Sequence, residues 1–197
     1  MTLRKQTMDN LAKAFIGESQ ARNRYNFYAR TARAEGYEEI GAIFLETSEQ
    51  ERQHASQIFT LLQNIKQREN LPNDDLEVTA TMPNVYGTTA ENLRAAIAGE
   101  HYENSEMYPH IAQVAQAEGY PEVAVKFRSI LVAEKHHEER YAKLLALVET
   151  NSYFKRKTQV YWTCRECGYV HYGFEPPQKC PSCDHPQAFY QRQQEEY

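Results

Sequence analysis

Between about residues 8 and 66, and again between about 89 and 149, apolar residues return at helical spacing with few breakers, which predicts four long helices. The inward seam of the second helix reads Phe44, Thr47, Glu51, His54, Ile58, Leu61, Ile65, and that of the fourth reads Phe127, Ile130, Glu134, His137, Tyr141, Leu144, Val148. The first helix gives Leu11, Ala14, Glu18, Ala21, Tyr25, Tyr28, and the third gives Leu93, Ala96, Glu100, Glu103, Met107. Every seam is apolar except at mid-height, where each carries carboxylate. Ala34-Glu35-Gly36-Tyr37 and Ala117-Glu118-Gly119-Tyr120-Pro121 place glycines where a helix must end in a tight turn, so each helix pair is a hairpin.

Between the hairpins, Asn70 to Gly87 holds Pro72, Asn73, Asp74, Asp75 and Pro83, a crossover long enough to travel the length of a bundle. Thr88-Thr89-Ala90-Glu91 then offers a capping box for the third helix. One long crossover joining two hairpins is the ferritin-like topology, so the expected fold is mainly α, a four-helix bundle over residues 1–150. After Val148 the helical period stops. A polar stretch through Lys155-Arg156-Lys157 leads into a second, small domain over 159–197, dense in Tyr, Cys, Pro and Gly. With so few residues it cannot bury a self-sufficient core, and a bound metal must supply folding energy.

The two hairpins repeat one another. Asn10-Leu11, Ala14 and Gly17-Glu18 recur 82 positions later as Asn92-Leu93, Ala96 and Gly99-Glu100, whereas Tyr25, Ala34-Glu35-Gly36-Tyr37, Glu51 and His54 recur 83 positions later as Tyr108, Ala117-Glu118-Gly119-Tyr120, Glu134 and His137. The change of offset places one extra residue in the third helix between Glu100 and Tyr108. A helix absorbs such an insertion as a π-bulge, and Pro109, which cannot donate to the Ser105 carbonyl, marks the same stretch. The halves also differ in chemistry, because Ala21 is matched by Glu103.

One Glu and one Glu-x-x-His from each hairpin is the arrangement with which a helix bundle holds two metal ions. An ionised carboxylate buried without a partner costs several kcal/mol, so Glu18, Glu51, Glu100, Glu103 and Glu134 require cations. Their summed charge of five is bracketed by two divalent and two trivalent ions. Carboxylate-rich ligation with two imidazoles suits iron or manganese better than zinc. His137 lies about 60° from Glu134 on the same helix face and His136 about 200° away, so His137 alone should ligate. His101 and His110 fall off the seam. Tyr25 and Tyr108, one to two turns from the ligands, are placed either to donate hydrogen bonds into the site and carry transient oxidation, or simply to pack.

With 197 residues and a net charge of −5, the chain is not built to bind nucleic acid. The start at Met1-Thr2-Leu3-Arg4-Lys5-Gln6-Thr7 reads as no signal peptide, and no stretch approaches the roughly 20 apolar residues of a membrane span, so a cytoplasmic location is expected. Cys164-x-x-Cys167 and Cys180-x-x-Cys183 then read as a four-thiolate metal site rather than two disulfides, and thiolates suit iron and zinc alike. Trp162, Tyr161, Tyr169, Tyr172, Phe174, Phe189 and Tyr190 are expected to shield it as a miniature core.

With Glu18, Glu51-x-x-His54, Glu100-x-x-Glu103, Glu134-x-x-His137 and the paired C-x-x-C motifs, the chain resembles the rubrerythrins over nearly its whole length. The resemblance implies a ferritin-like diiron domain followed by a rubredoxin-like domain. It implies a non-haem diiron peroxidase of oxidative-stress defence, reducing hydrogen peroxide to water with electrons from rubredoxin or a reductase relayed through a four-cysteine iron. It further implies that Glu51 and Glu134 bridge two irons, that Glu18, Glu100 and His137 are terminal ligands, and that one iron exchanges His54 for Glu103 on oxidation. Those two residues, with Tyr25 and Tyr108, are then the catalytic candidates, and a head-to-tail homodimer is the expected assembly. The main rival is a ferroxidase or iron store of the ferritin type, which has no need of an appended one-electron centre; a second rival is a structural bundle with a zinc ribbon.

Overall fold

A computed structural model describes residues 5–193. The sequence readings that fall on Met1 to Arg4, and the last residues of the small domain, lie outside the described residues. Helices α1 (Gln6–Ala34) and α2 (Glu38–Arg68) form the first hairpin. The second is built from α3 (Thr89–Tyr102), a π-helical segment (Glu103–Met107) and α4 (Tyr108–Ala117), followed by α5 (Pro121–Glu149). The π segment falls between Glu100 and Tyr108, where the repeat offset changes: the Tyr108 N–H reaches back five residues to the Glu103 carbonyl. Pro109 opens α4 directly behind it, where its missing N–H matters least.

The turns close as the glycines require. Gly36 and Gly119 both take φ of +86°, and Tyr37 N–H and Tyr120 N–H return to the carbonyls of Ala32 and Ala115 at 2.8 Å. The glutamate of each turn caps the first helix of the other hairpin. Glu118 accepts from the Gln6 and Thr7 backbone N–H groups at 3.0 and 2.8 Å, and Glu35 accepts from Thr89 N–H at 3.0 Å. At α3 the Thr88–Glu91 capping box forms with both of its hydrogen bonds. The irregular crossover runs along the bundle, with Leu76 packed at the Met8 end and the Val85 carbonyl accepting from Tyr28 Oη at the other.

The interior is two apolar clusters. One gathers Met8, Leu11, Ile58, Ile65, Tyr108 and Phe127; the other gathers Tyr25, Tyr28, Ile40, Phe44, Leu93 and Tyr141. The Glu18, Glu51, Glu100 and Glu134 side chains, all at most 1% exposed, fall between them. Among the described residues no helix is long and apolar enough to cross a membrane.

Beyond α5, β1 (Val160–Cys164) pairs antiparallel with β2 (Val170–Gly173) and β3 (Tyr190–Arg192), giving the order β2-β1-β3. Its core is Trp162, Tyr190, Cys164 and Cys180, with Tyr169 and Phe189 partly buried against it. The expected aromatic shield is therefore smaller than the sequence suggested. Tyr161 and Tyr172 sit opposite each other on the outer face of the sheet and Phe174 lies just beyond it, all three exposed, because a three-stranded sheet has only one face to bury. The segment between α5 and β1 links the two: its Tyr153 meets Tyr37 of the first hairpin edge-on at 5.1 Å, and its Arg156 guanidinium lies over the Trp162 ring of the sheet at 5.3 Å.

Candidate metal centres

Four helices bring six side chains to one point. Glu18, Glu51, His54 and Glu134 each offer a ligand atom within 4.8 Å of the others, and so do Glu51, Glu100, Glu134 and His137. Glu51 and Glu134 belong to both groups, so the two groups are adjacent and share a pair of carboxylates. The sharing follows the repeat. His54 Nδ1 lies 2.9 Å from both Glu51 Oε2 and Glu134 Oε1, and His137 Nδ1 lies 3.3 Å from Glu51 Oε1 and 2.9 Å from Glu134 Oε2.

The electrostatics show what the cage demands. Burial, reinforced by Glu134 and Glu51, holds the Glu18 carboxyl well above the usual carboxylate range, and burial together with Glu51 pushes Glu100 up to about 8. Against the same burial, the His137 and His54 imidazoles beside it pull Glu51 down to about 2. Burial opposes charge on the imidazoles as well, yet the surrounding carboxylates raise His54 to about 9 and His137 to about 12. Protons are thus drawn in where no cation is present.

The donor set fits metal ions. Glu18 Oε2, Glu51 Oε1, Glu100 Oε2, both oxygens of Glu134 and His137 Nδ1 are buried without an aligned hydrogen-bond partner. Such groups are costly unless something else satisfies them. The other oxygens of the two outer glutamates are occupied: Tyr25 Oη donates to Glu100 Oε1 and Tyr108 Oη to Glu18 Oε1. Each tyrosine thus serves the opposite hairpin and leaves one carboxylate oxygen turned to the cage. Both hydrogen bonds and aromatic packing are realised, since Tyr25 also packs on Phe44 and Tyr141, and Tyr108 on Phe127.

His136 and His110 are exposed, and His101 faces Glu138 on the outside, off the cage as the helical angles required. Glu103 sits at the edge of the cage, where burial together with Glu100, Glu134 and Glu51 holds its carboxyl well above the usual carboxylate range. It is half-buried, lies outside both four-residue groups, and brings Oε1 to 3.7 Å from the place a Cβ on Gly17 would occupy. The wider π turn offsets it from the position a straight helix would give. One participant was missed in the sequence: Gln50 Oε1 accepts from His137 Nε2 at 2.9 Å, fixing the ring so that Nδ1 faces the carboxylates. Gln50 corresponds to Ala133 in the repeat, so symmetry gave no signal for it. His54 keeps 14% of its side chain exposed against 3% for His137.

In the small domain all four cysteines are free thiols converging on one point, which removes the disulfide alternative. Cys164 Sγ–Cys183 Sγ and Cys167 Sγ–Cys180 Sγ are both 3.7 Å apart. A tetrahedral site with metal–sulfur distances of about 2.3 Å has edges of roughly 3.8 Å, so the cage is already of the right size. The turn after Cys167 uses Gly168 at φ +76°, and Cys167 is the exposed corner of the cage.

Comparison with known proteins agrees with this geometry. The rubrerythrin family model matches residues 9–145, and the rubrerythrin rubredoxin-like domain matches residues 162–191. A protein of Methanocaldococcus jannaschii carrying the family name is 50% identical over 98% of this chain and 95% of its own. Rubrerythrins of Porphyromonas gingivalis and Nitratidesulfovibrio vulgaris are 46% and 43% identical, covering 97% and 94% of this chain and 92% and 93% of theirs. Among solved structures, nigerythrin in a mixed-valence state superposes with a TM-score of 0.62 at 30% identity, over 98% of this chain and 88% of that one. Two hairpins sharing a carboxylate and histidine cage, followed by a four-thiolate cage of the right size, therefore have one common account: the chain belongs to the rubrerythrin family, with a diiron carboxylate/histidine site in its helices and a rubredoxin-like four-cysteine iron site behind them.

Proposed function

We propose that the protein is a peroxidase, reducing hydrogen peroxide to water with electrons that enter through the four-cysteine iron. The observation that carries this reading is the presence, in one chain, of a buried two-ion cage and a one-electron thiolate centre with an exposed cysteine corner. A ferritin-type iron store would use the first and leave the second without a purpose.

Iron bound in the cage supplies the two electrons that peroxide reduction consumes, with two protons completing the water. Glu51 and Glu134, common to both groups, would be shared between the two ions, with Glu18 and His54 holding one and Glu100 and His137 the other. Tyr25 and Tyr108 orient the outer carboxylates. Burial and the neighbouring carboxylates raise both phenols well above their ordinary range, so each keeps its proton on Oη and acts as a donor at neutral pH. Glu103 is the reserve ligand. Four carboxylates would balance two divalent ions, and a fifth, Glu103, would be available in place of His54 to balance a higher charge. The wider exposure of His54 and the missing counterpart of the Gln50 contact leave that imidazole the freer of the two.

The reductant is a redox protein such as rubredoxin or a reductase, and the working unit is a homodimer. The small sheet packs at the start of α2, where Ala188 approaches Gly36, and Glu51 is 15 residues further on, roughly 20 Å along the helix. A second subunit, placed head to tail, shortens that gap. The reading is tested by reducing the protein anaerobically, adding one equivalent of hydrogen peroxide per diiron pair, and following both chromophores against an oxygen control. Rapid reoxidation of the diiron pair, then of the thiolate iron, is expected. Reoxidation no faster than with oxygen would overturn it.

A further inference from the structure

The two halves of the cage are closed from outside in different ways. On the second hairpin, Glu138 of α5 uses both carboxylate oxygens as acceptors across to the other helix of its pair: Asn104 Nδ2 donates to Oε2 at 2.7 Å, and His101 Nδ1 lies 3.0 Å from Oε1. Asn104 Nδ2 also reaches the Glu100 backbone carbonyl at 2.7 Å. One carboxylate, next in sequence to His137, therefore grips the residues on either side of the α3/π junction that presents Glu100 and Glu103. The repeat gives the first hairpin no such carboxylate; there Ser48 of α2 donates to the Arg22 carbonyl at 3.0 Å and accepts from Asn26 Nδ2 at 2.6 Å, which leaves the stretch nearer Ser19 untied. Ser19 stands 82 positions before His101 and Ala55 stands 83 before Glu138, and Ser19 spends its hydroxyl on the Phe15 carbonyl of its own helix. At that place α1 and α2 leave a groove of about 380 Å³, lined by Ser19, Arg22 and Ala55 among others.

We infer that Glu138 is a positioning residue: by bridging Asn104 and His101 it pins the π junction to α5, holding Glu100 and His137 fixed so that ligand exchange is confined to the His54 side. A π-bulge interrupts the regular i→i+4 ladder of its helix, so contacts from a neighbouring helix are what fix the side chains around it. Two hydrogen bonds to a carboxylate across the helix pair hold it in one register. The inference rests on the two-ion reading of the cage and does not depend on which oxidant the irons meet.

The test uses the full-length protein with Glu138→Ala, Glu138→Gln and, as a control, Glu149→Ala. Glu149 accepts from Arg94 Nε at 3.0 Å and so ties the same two helices away from the cage. Amide hydrogen exchange over residues 100–108 and Co(II) titration of the metal-free protein are measured for each. Glu138→Ala should speed exchange in that stretch at least tenfold and weaken the second Co(II) by about tenfold. Glu138→Gln, which keeps an oxygen for Asn104, should restore most of both. No change in Glu138→Ala, or an equal change in Glu149→Ala, overturns the assignment. Because neither measurement uses peroxide, wild-type protein that fails to reduce peroxide would sink the peroxidase reading and leave this one standing.

Discussion

A single hydroxyl decides how each outer glutamate is presented. Tyr108 Oη takes Glu18 Oε1 and Tyr25 Oη takes Glu100 Oε1, which leaves Oε2 of each glutamate facing the cage. Tyr108→Phe leaves a buried carboxylate oxygen without its donor. The expected result is a 10- to 100-fold loss of affinity for one of the two metal ions, read by Co(II) titration, with the helical signal unchanged. Glu103 is different in kind, since it belongs to neither four-residue group yet lies close enough to Glu100, Glu134 and Glu51 for their charges to act on it. Glu103→Ala should load two irons normally in the reduced state and lose peroxide turnover by tenfold or more; full turnover at full iron loading would remove it from the mechanism. The ligand-bearing residues were legible in the sequence because carboxylates on apolar seams are expensive. Gln50 was not, because an uncharged amide beside a seam costs nothing that a pattern can register.

Among the elements, the π segment is the clearest case of sequence foretelling backbone. An offset moving from 82 to 83 located an extra residue between Glu100 and Tyr108, and the structure places the π turn at Glu103–Met107. What the offset did not convey is where the side chains of the bulge would fall; Glu103, read as a seam residue, ends half-buried beside Gly17. Its neighbour α3 begins on the Thr88–Glu91 capping box. Thr88→Ala should destabilise the protein by about 1 kcal/mol in urea unfolding, the usual worth of such a cap. A much larger loss would mean the residue also anchors the crossover. The aromatic run of the small domain shows the opposite limit. Period-two alternation divides Trp162 from Tyr161 correctly, but composition alone had assigned both to the shield.

For the whole molecule, the metal-free cage gives stability a characteristic dependence on pH. Glu18 and Glu100 have folded pKa values above their unfolded ones, so the folded chain binds extra protons and loses stability as pH rises from about 4.5 towards 8. His54 and His137 are also raised, to about 9 and about 12, so their contribution is complete below 6.5 and lost as pH climbs through those values. Glu51, lowered to about 2, acts in the opposite sense only below about 4.5. The metal-free protein should therefore melt at a lower temperature at pH 8 than at pH 5, and the gap between metal-loaded and metal-free forms should widen over that range. A gap constant with pH would show that the cage does not take up protons in place of metal.

The chain by itself determined the two helical hairpins, the two glycine turns, the crossover, the insertion that divides the third expected helix, and most of the carboxylates, imidazoles and thiols that the structure brings together. Each of these is local or periodic, written within a helix turn or a repeat, and the energetic cost of a misplaced charge makes it visible. Only the tertiary structure decided which groups share an ion pair, because that depends on how two hairpins face each other. It set Glu51 and Glu134 in both groups, crossed each tyrosine to the opposite hairpin's glutamate, held His137 with Gln50 while leaving His54 partly exposed, and closed one side of the cage with Glu138. Those contacts join residues 34 to 90 positions apart, and what fixes them is the packing of two apolar clusters above and below a charged layer rather than any pattern along the chain.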